Sequence, residues 1–234
     1  KILMSESIHI PFSEDYESHY KDLSTASHEI MNYAATIGST YQYIDTKYPE
    51  THDFKFWENL GISINQLCSF MKQSSICRYC HFPQKDTVNI DSVMKLVSET
   101  LDECAYPDIT SRINLSIANP QLSIYGDADH IAAAIYQLII NAYEANDSSL
   151  PKDIDVSFSS DDCHLTISVS NYGMLTDNYS YEQLAQAFFT TKSNHAGCGL
   201  YIANIVCARH DGYLSIGCDN NITNVSLVLA LKSK

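Results

Sequence analysis

The sequence predicts an α+β protein in which a helical hairpin, forming a dimeric four-helix bundle, precedes an α/β-sandwich domain. Two long segments before residue 84 place apolar side chains at alternating spacings of three and four, which is typical of helices. Several short segments after residue 85 alternate apolar and polar side chains, which is typical of strands. We therefore expect two domains, spanning residues 1–84 and 85–234.

The first domain is predicted to be two helices joined by a turn. The first helix covers about residues 15–46, and the second begins at Trp57 and ends before Pro83. Their apolar seams consist of Leu23, Ile30, Ala34, Ile37, Tyr41 and Ile44, and of Trp57, Leu60, Ile64, Leu67 and Met71. Because one hairpin cannot bury both seams, we expect a second copy to complete a four-helix bundle, and hence a homodimer.

Helices and β-hairpins are mixed in the second domain. Helical periodicity predicts three helices, over residues 91–104, 128–145 and 199–210. Alternation predicts five strands, at residues 113–117, 154–158, 165–169, 213–216 and 225–229. Apolar helix stripes and strand faces of this kind bury one another in a layered α/β sandwich.

The composition supports folded domains and excludes some partners. The chain has 234 residues, of which 45% are apolar, enough for a core in each domain. Its formal net charge of −14 repels nucleic acid backbones and anionic lipids. The longest apolar stretch, residues 131–140, is too short to cross a bilayer. We expect no nucleic acid partner and no membrane contact by this chain. The sequence begins with Lys1 and is expected to be a fragment.

Eight cysteines are scattered through predicted helices and strands, which favours a reducing, cytoplasmic location. Cys77, Cys80 and His81 have the spacing of a covalent haem attachment site, and a CxxC pair also occurs in redox and zinc sites. Because no second CxxC pair is present, cysteines that happen to lie at a helix end are the favoured interpretation.

Three groups of residues can carry chemistry. His28 and Glu29 lie off the apolar seam, where they are either a nucleophile with its base or a solvated pair. Gln137 and Asn141 lie one turn apart on a predicted helix, where their amides either ligate Mg²⁺ or are satisfied polar groups of the core. The glycines of residues 197–199 open a helix and leave backbone N–H groups bare for phosphate.

Five motifs occur in the order found in sensor histidine kinases, and the chain resembles the catalytic core of that family over about residues 20–234. Ser27-His28-Glu29-Ile30-Met31-Asn32 resembles the H box of the phosphotransfer hairpin. The other motifs resemble the N, G1, F and G2 boxes of the ATP-binding domain: Asn141-Ala142, Ser170-Asn171-Tyr172-Gly173, Phe188-Phe189-Thr190-Thr191-Lys192 and Gly197-Cys198-Gly199-Leu200. The resemblance implies that the α/β sandwich binds ATP.

The resemblance also implies an activity, cofactors and a partner. His28 would be phosphorylated from ATP with Glu29 as its base, and the phosphoryl group would pass to an aspartate of a response regulator receiver domain. Asn32 would orient water for dephosphorylating that partner, and Asn141 would bind Mg²⁺. The implied ATP-binding residues are Asn141, Asn171, Gly173, Thr190, Thr191, Lys192, Gly197, Gly199 and Leu200. The expected location is cytoplasmic, which includes the cytoplasmic part of a membrane-bound sensor.

The implied ATP pocket departs from the family pattern. The family's adenine-binding aspartate corresponds to Asn171, whose amide oxygen can still accept a hydrogen bond but carries no charge. The usual basic residue after the N-box asparagine corresponds to Glu144, which repels a triphosphate unless Mg²⁺ or Lys192 offsets it. Further departures are Gln137, Leu175 and His195. The alternative is therefore a dimeric histidine phosphotransferase or phosphatase adaptor that uses ATP weakly or not at all.

Overall fold

The computed structural model describes residues 8–10, 24–145, 153–173, 179–190, 192 and 196–231, with the backbone alone at 8–10, 24–26 and 28. These residues form two compact units. The helical unit holds the described residues of Ser13–Tyr79 and Ala187–Cys198. The sheet unit holds those of Lys1–Phe12, Cys80–Gln186 and Gly199–Lys234. A domain boundary between residues 84 and 85 stays a prediction.

Helices α1 (Ser24–Lys47) and α2 (Trp57–Tyr79) form the predicted hairpin and are joined by a 3₁₀ turn at Pro49–Asp53. The two helices meet at small side chains. Ala34 of α1 is buried, and its carbonyl accepts a hydrogen bond from Cys68 Sγ at 3.5 Å. Residues 15–23, where the first helix was predicted to begin, lie outside the described residues.

Tyr41 fixes the turn end of the hairpin. Its ring stacks on Trp57 with the ring centroids 4.7 Å apart, and its hydroxyl donates to the Trp57 carbonyl at 3.4 Å. Gly61 leaves room for this ring, since a Cβ at that position would lie 2.7 Å from Tyr41 Cζ. Trp57 Nε1 in turn donates to Asp45 Oδ1 at 2.7 Å. The end of α1 is thereby tied to the start of α2.

Only part of the predicted apolar seam is buried within one copy of the hairpin. Ala34, Ile64 and Met71 face the other helix and are buried. Four other seam residues are between 40% and 49% exposed, namely Ile30, Ile37, Leu60 and Leu67. One copy of the hairpin therefore leaves these four apolar side chains partly exposed to solvent.

The sheet unit contains a six-stranded sheet and a two-stranded sheet. The strands in chain order are β1 (Ile8–Ile10), β2 (Asp86–Asn89), β3 (Ile113–Ile117), β4 (Ser123–Gly126), β5 (Ile154–Ser160), β6 (His164–Tyr172), β7 (Tyr213–Asp219) and β8 (Ile222–Ala230). The large sheet has the order β1-β7-β8-β6-β5-β3, and its neighbours are antiparallel except for the parallel pair β3 and β5. Strands β2 and β4 pair antiparallel in the small sheet.

Three helices pack with the sheets of this unit and confirm the predicted α+β class. They are α3 (Ile90–Asp102), α4 (Ala128–Ala145) and α6 (Gly199–Arg209), with a single-turn helix α5 at Tyr181–Leu184 and a 3₁₀ turn at Thr110–Arg112. Helix α4 has the predicted bounds and contacts α3, α6 and β6. Its apolar stripe of Ile131, Ile135 and Ile139 is fully buried, which fixes its orientation on the sheet.

Asp127 fixes the start of α4. Its Oδ1 accepts from the His130 N–H at 3.1 Å as an N-cap, and its Oδ2 accepts from the Gln84 N–H at 2.6 Å. The Asp127 N–H donates to His210 Nε2 at 2.9 Å, so His210 carries its proton on Nδ1 and donates to the Val206 carbonyl at 2.7 Å. These bonds join the start of α4 to the end of α6.

Several features of the sheet unit were not apparent from the sequence, among them the strand β1. The β2 and β4 strands have four residues each, too few to show a clear alternation. The predicted strand at residues 113–117 is present as β3, but Leu115 is 49% exposed because β3 is an edge strand.

The eight cysteines all lie within the described residues, and none of them forms a disulfide bond. Cys77 lies in the last turn of α2 and Cys80 at the start of the sheet unit, and both are fully buried. Burial, with a smaller contribution from Asp127, raises the pKa of Cys80 to about 12. Along the described parts of the chain, no helix is both long and apolar enough to cross a membrane.

Candidate active site

One face of α4 carries the polar residues Gln137, Asn141 and Glu144. A helix turns by about 100° per residue, so these side chains leave α4 within about 60° of one another. Gln137 is buried, and Asn141 and Glu144 are half-buried. The helix thus presents two amides and a carboxylate along a single stripe.

Gly199, the first residue of α6, lies against this stripe. A Cβ at position 199 would lie 2.7 Å from Asn141 Nδ2 and 3.3 Å from Gln137 Oε1. Glycine therefore allows the start of α6 to approach the two amides. Leu200 follows in the first turn and is half-buried. The structure thus brings together Asn141 and Gly199, which are far apart in the sequence.

The end of β6 carries Asn171 and Gly173. Asn171 is buried, and its Nδ2 donates to the Tyr172 carbonyl at 3.0 Å. Its Oδ1 is the atom of this amide that can accept a hydrogen bond. Gly173 has a φ of 140°, which favours glycine, and a Cβ there would lie 3.5 Å from the Ala145 carbonyl oxygen. The Thr223 hydroxyl donates to the Gly173 carbonyl at 2.8 Å. Gly173 thereby lies beside the carboxyl end of α4.

Glu144 has a specific partner that the sequence did not indicate. Its Oε1 accepts a hydrogen bond from the Tyr106 hydroxyl at 2.7 Å. Burial, followed by this hydrogen bond, raises the pKa of Tyr106. The Tyr106 ring packs on Tyr143 with the centroids 4.7 Å apart, and the Tyr143 hydroxyl donates to Asp108 Oδ1 at 2.6 Å. No local pattern marks Tyr106, because the contact depends on how α3 and α4 pack.

The segment that resembles the F box belongs to the helical unit. Phe188 packs on Phe70 of α2 with the ring centroids 5.1 Å apart, and its φ of 63° is rare for a bulky residue. The exposed Thr190 accepts from the Lys192 N–H at 3.0 Å through its hydroxyl oxygen. Gly197 has a φ of 70° in the same unit.

Three residues named in the sequence analysis of the ATP pocket lie outside the described residues. They are Leu175, Thr191 and His195.

The residues that resemble the H box lie near the start of α1. His28 and Asn32 are one turn apart in this helix, and Asn32 is exposed. Glu29 is also exposed, as expected for residues off the apolar seam. For His28 the structure describes the backbone alone, so its position in α1 is established.

The residues of the α4 stripe fit a divalent cation with a triphosphate. Mg²⁺ prefers oxygen ligands and commonly uses one or two protein groups together with substrate phosphates. The Asn141 amide oxygen and the Glu144 carboxylate are suitable metal ligands. The start of α6 supplies backbone N–H groups that can bind phosphate. Within the described ranges, no group of three or more His, Cys, Asp or Glu residues could hold a metal ion.

The sequence matches known kinases along most of its length. Residues 126–233 match the family described as histidine kinase-, DNA gyrase B- and HSP90-like ATPase. Sporulation kinase C of Bacillus subtilis (strain 168) is 25% identical over 216 residues, covering 88% of this chain and 48% of that protein. Sporulation kinase B of the same organism is 23% identical over 133 residues, covering 56% of this chain and 30% of that protein. The chain thus spans at most about half the length of these relatives.

Solved structures show the same fold. Full-length ShkA in complex with AMPPNP has a TM-score of 0.64 and 16% identity, covering 92% of this chain and 47% of that chain. Histidine kinase ThkA in complex with the response regulator protein TrrA has a TM-score of 0.58 and 19% identity, covering 91% of this chain and 61% of that chain. Residues 126–233 thus resemble the histidine kinase-, DNA gyrase B- and HSP90-like ATPase family, and the chain shares its fold with these solved histidine kinase structures.

Proposed function

We propose that this chain transfers the γ-phosphoryl group of ATP to His28 and then to an aspartate of a response regulator receiver domain. The observation that carries the proposal is the contact between Asn141 and Gly199. It joins an amide that can ligate a cation to a helix start whose N–H groups can bind phosphate oxygens, and phosphoryl transfer depends mainly on such positioning and charge stabilisation. The ATPase family match at residues 126–233 supports ATP as the ligand.

The chemistry needs a nucleophile and a base. His28 Nε2 attacks the γ-phosphorus, the bond to the oxygen bridging the β- and γ-phosphorus atoms breaks, and ADP leaves. Glu29 accepts the proton of His28 Nδ1, which leaves a neutral phosphohistidine ring. Asn141 and Glu144 would hold Mg²⁺, which when bound offsets the negative charge of the triphosphate. The N–H groups that open α6 bind phosphate oxygens, and Asn171 Oδ1 accepts from the adenine amino group.

The second transfer requires access to the exposed side of α1. A receiver-domain carboxylate attacks the phosphorus of phosphohistidine, and the N–P bond breaks. Asn32, one turn from His28 and exposed, orients water when the partner is dephosphorylated. The ThkA structure, whose partner is the response regulator protein TrrA, supports this class of partner.

The proposed kinase works as a homodimer through the hairpin. The exposed seam residues Ile30, Ile37, Leu60 and Leu67 support this assembly, because a second hairpin would bury them in a four-helix bundle. A cytoplasmic location is part of the proposal, since ATP is the substrate and eight cysteines without a disulfide bond suit a reducing compartment.

The experiment is incubation of the purified chain with Mg²⁺ and γ-labelled ATP. The expected result is acid-labile, base-stable label on the protein, absent in His28→Ala and retained in His164→Ala, a control in the sheet unit. Label that survives His28→Ala would contradict the assignment of the nucleophile. If no label forms and Mg-ATP leaves the melting temperature unchanged, the phosphotransfer adaptor replaces the kinase.

A further inference from the structure

A cleft of about 510 Å³ opens on the sheet unit, between the segment that precedes β2 and the end of α6. Its volume is within the usual range of small-molecule sites. The lining includes His81, Phe82, Lys85, Ala208, Arg209 and Asp211. Helix α6 has 11 residues, so its end lies about 15 Å from its start at Gly199. The cleft is therefore separate from the proposed ATP site.

Two side-chain cations line this cleft, although the chain has a formal net charge of −14. Lys85 and Arg209 are both half-buried, and Lys85 Nζ lies 3.7 Å from Asp211 Oδ2. This separation is longer than a hydrogen bond, and Asp211 is exposed, so the ion pair is weak. Burial lowers the pKa of His81, which keeps that ring neutral near neutral pH. Two cations and one carboxylate give the lining a formal charge of +1.

The end of α6 is capped, which reduces its repulsion of an anion. The last carbonyl groups of a helix carry partial negative charge when they have no hydrogen-bond donor. Here the carbonyls of Val206, Cys207 and Ala208 accept from backbone N–H groups three to five residues further along the chain, at 2.9 to 3.3 Å. Arg209 places a guanidinium in the same turn. The helix end therefore contributes a cation to the cleft.

Phe82 gives the cleft an apolar wall. Its side chain is exposed, and its ring lies next to the buried His81 with the centroids 6.4 Å apart. A flat apolar group that covered the Phe82 ring would remove it from water, which is favourable. The planar guanidinium of Arg209 suits a carboxylate or a phosphate, which it can bind through two parallel hydrogen bonds.

We infer that this cleft binds a small aromatic anion, whose carboxylate or phosphate group contacts Lys85 and Arg209 and whose ring packs on Phe82. The anionic group takes the place of the Asp211 carboxylate beside Lys85. The inference does not rest on the proposed kinase activity, in which these four residues have no role.

The experiment measures the Kd of phenyl phosphate for the whole chain by ligand-observed NMR, with excess Mg-AMPPNP to occupy the proposed ATP site. We expect a Kd of about 1 mM or lower, and binding at least about tenfold weaker in Lys85→Gln and in Arg209→Gln. Lys95→Gln is the matched control, because it removes the same charge from an exposed ion pair with Glu99 on α3. The control should leave the Kd unchanged.

Asp211→Asn should tighten binding about threefold or more, because it removes the competing carboxylate. Asparagine tolerates the left-handed φ of 56° at this position, so the turn is retained. A merely structural role of the ion pair would lower the melting temperature without tightening binding. If Lys85→Gln or Arg209→Gln does not fold, Asp211→Asn decides the question.

Other probes test the two parts of the ligand. Inorganic phosphate should bind at least about tenfold more weakly than phenyl phosphate, and Phe82→Ala should remove this difference. Benzoate replaces the phosphate group by a carboxylate, so the tighter of the two aromatic anions identifies the preferred anionic group.

The outcomes are independent of the kinase proposal. Neither aromatic anion binding at about 10 mM, or equal Kd values in the wild type, Lys85→Gln and Arg209→Gln, would overturn the assignment of the cleft. Equal binding of inorganic phosphate and phenyl phosphate would overturn the aromatic class of ligand. Absence of label on His28 together with normal binding of phenyl phosphate would overturn the kinase proposal alone.

Discussion

Asn141 Nδ2 lies 2.7 Å from the point that a Cβ of residue 199 would occupy, so the approach of α6 to α4 depends on glycine at position 199. Gly199→Ala should push the amide aside and weaken Mg-ATP binding about tenfold or more, with the fold retained. Gly217→Ala is the matched control, since its Cβ would meet nothing within 4 Å. Calorimetric Kd values for the two variants test this, and equal affinities would show that the close approach is unimportant for binding.

Gly61 is predicted to be needed for the turn end of the hairpin. A Cβ in Gly61→Ala would lie 2.7 Å from Tyr41 Cζ and displace the ring from Trp57, at a cost of about 1–3 kcal/mol. Trp57 is the only tryptophan, so its fluorescence should change in parallel with a lower melting temperature.

Gly38→Ala is predicted to stabilise the same hairpin, in contrast to Gly61→Ala. Its Cβ would make an ordinary contact at 3.5 Å with Cys68 Sγ, and alanine favours a helix interior by up to about 1 kcal/mol. Destabilisation of the Gly38 variant equal to that of the Gly61 variant would contradict the steric explanation.

The homodimer should depend on the exposed seam. Leu60→Glu places a charge on the surface that a second hairpin would bury, so the chain should become monomeric while keeping its helical content. Ile62→Glu is the control, because Ile62 has the same 47% exposure but lies on the opposite side of α2. Analytical ultracentrifugation should give a monomer for Leu60→Glu and a dimer for Ile62→Glu. If both variants are dimers, the seam does not form the dimer interface.

Stability should fall as the pH drops below about 6.5, the ordinary pKa of histidine. Burial lowers the pKa of His210. The Asp127 N–H donates to His210 Nε2, so protonation of Nε2 would place two N–H donors opposite each other. Since the unfolded chain binds this proton more readily, its contribution to stability is complete above about pH 6.5 and is lost as the pH falls towards the lowered pKa.

The buried His81 and His130, whose pKa values are also lowered by burial, act in the same direction. Each such histidine contributes up to about 1.4 kcal/mol per pH unit in that range. The free energy of unfolding, measured in urea between pH 5 and 7, should therefore depend less steeply on pH in His210→Ala than in the wild type. An identical pH dependence in the two proteins would mean that His210 does not contribute.

The sequence by itself determined the helical hairpin, the bounds of α4 and the β-hairpins of the large sheet. These elements follow from local periodicity, which depends on neighbours within a few residues. The order of the motifs also indicated the family, because each motif is a short continuous segment.

Only the tertiary structure decided which of these residues meet. Asn141 and Gly199 come together because α4 and α6 pack side by side on one sheet. Tyr106 orients Glu144 because α3 packs on the other flank of α4, so a residue that looked merely repulsive has a fixed direction. The exposure of Leu115 likewise follows from strand order. Contacts between distant segments depend on how apolar faces pack, and no local pattern in the chain encodes that arrangement.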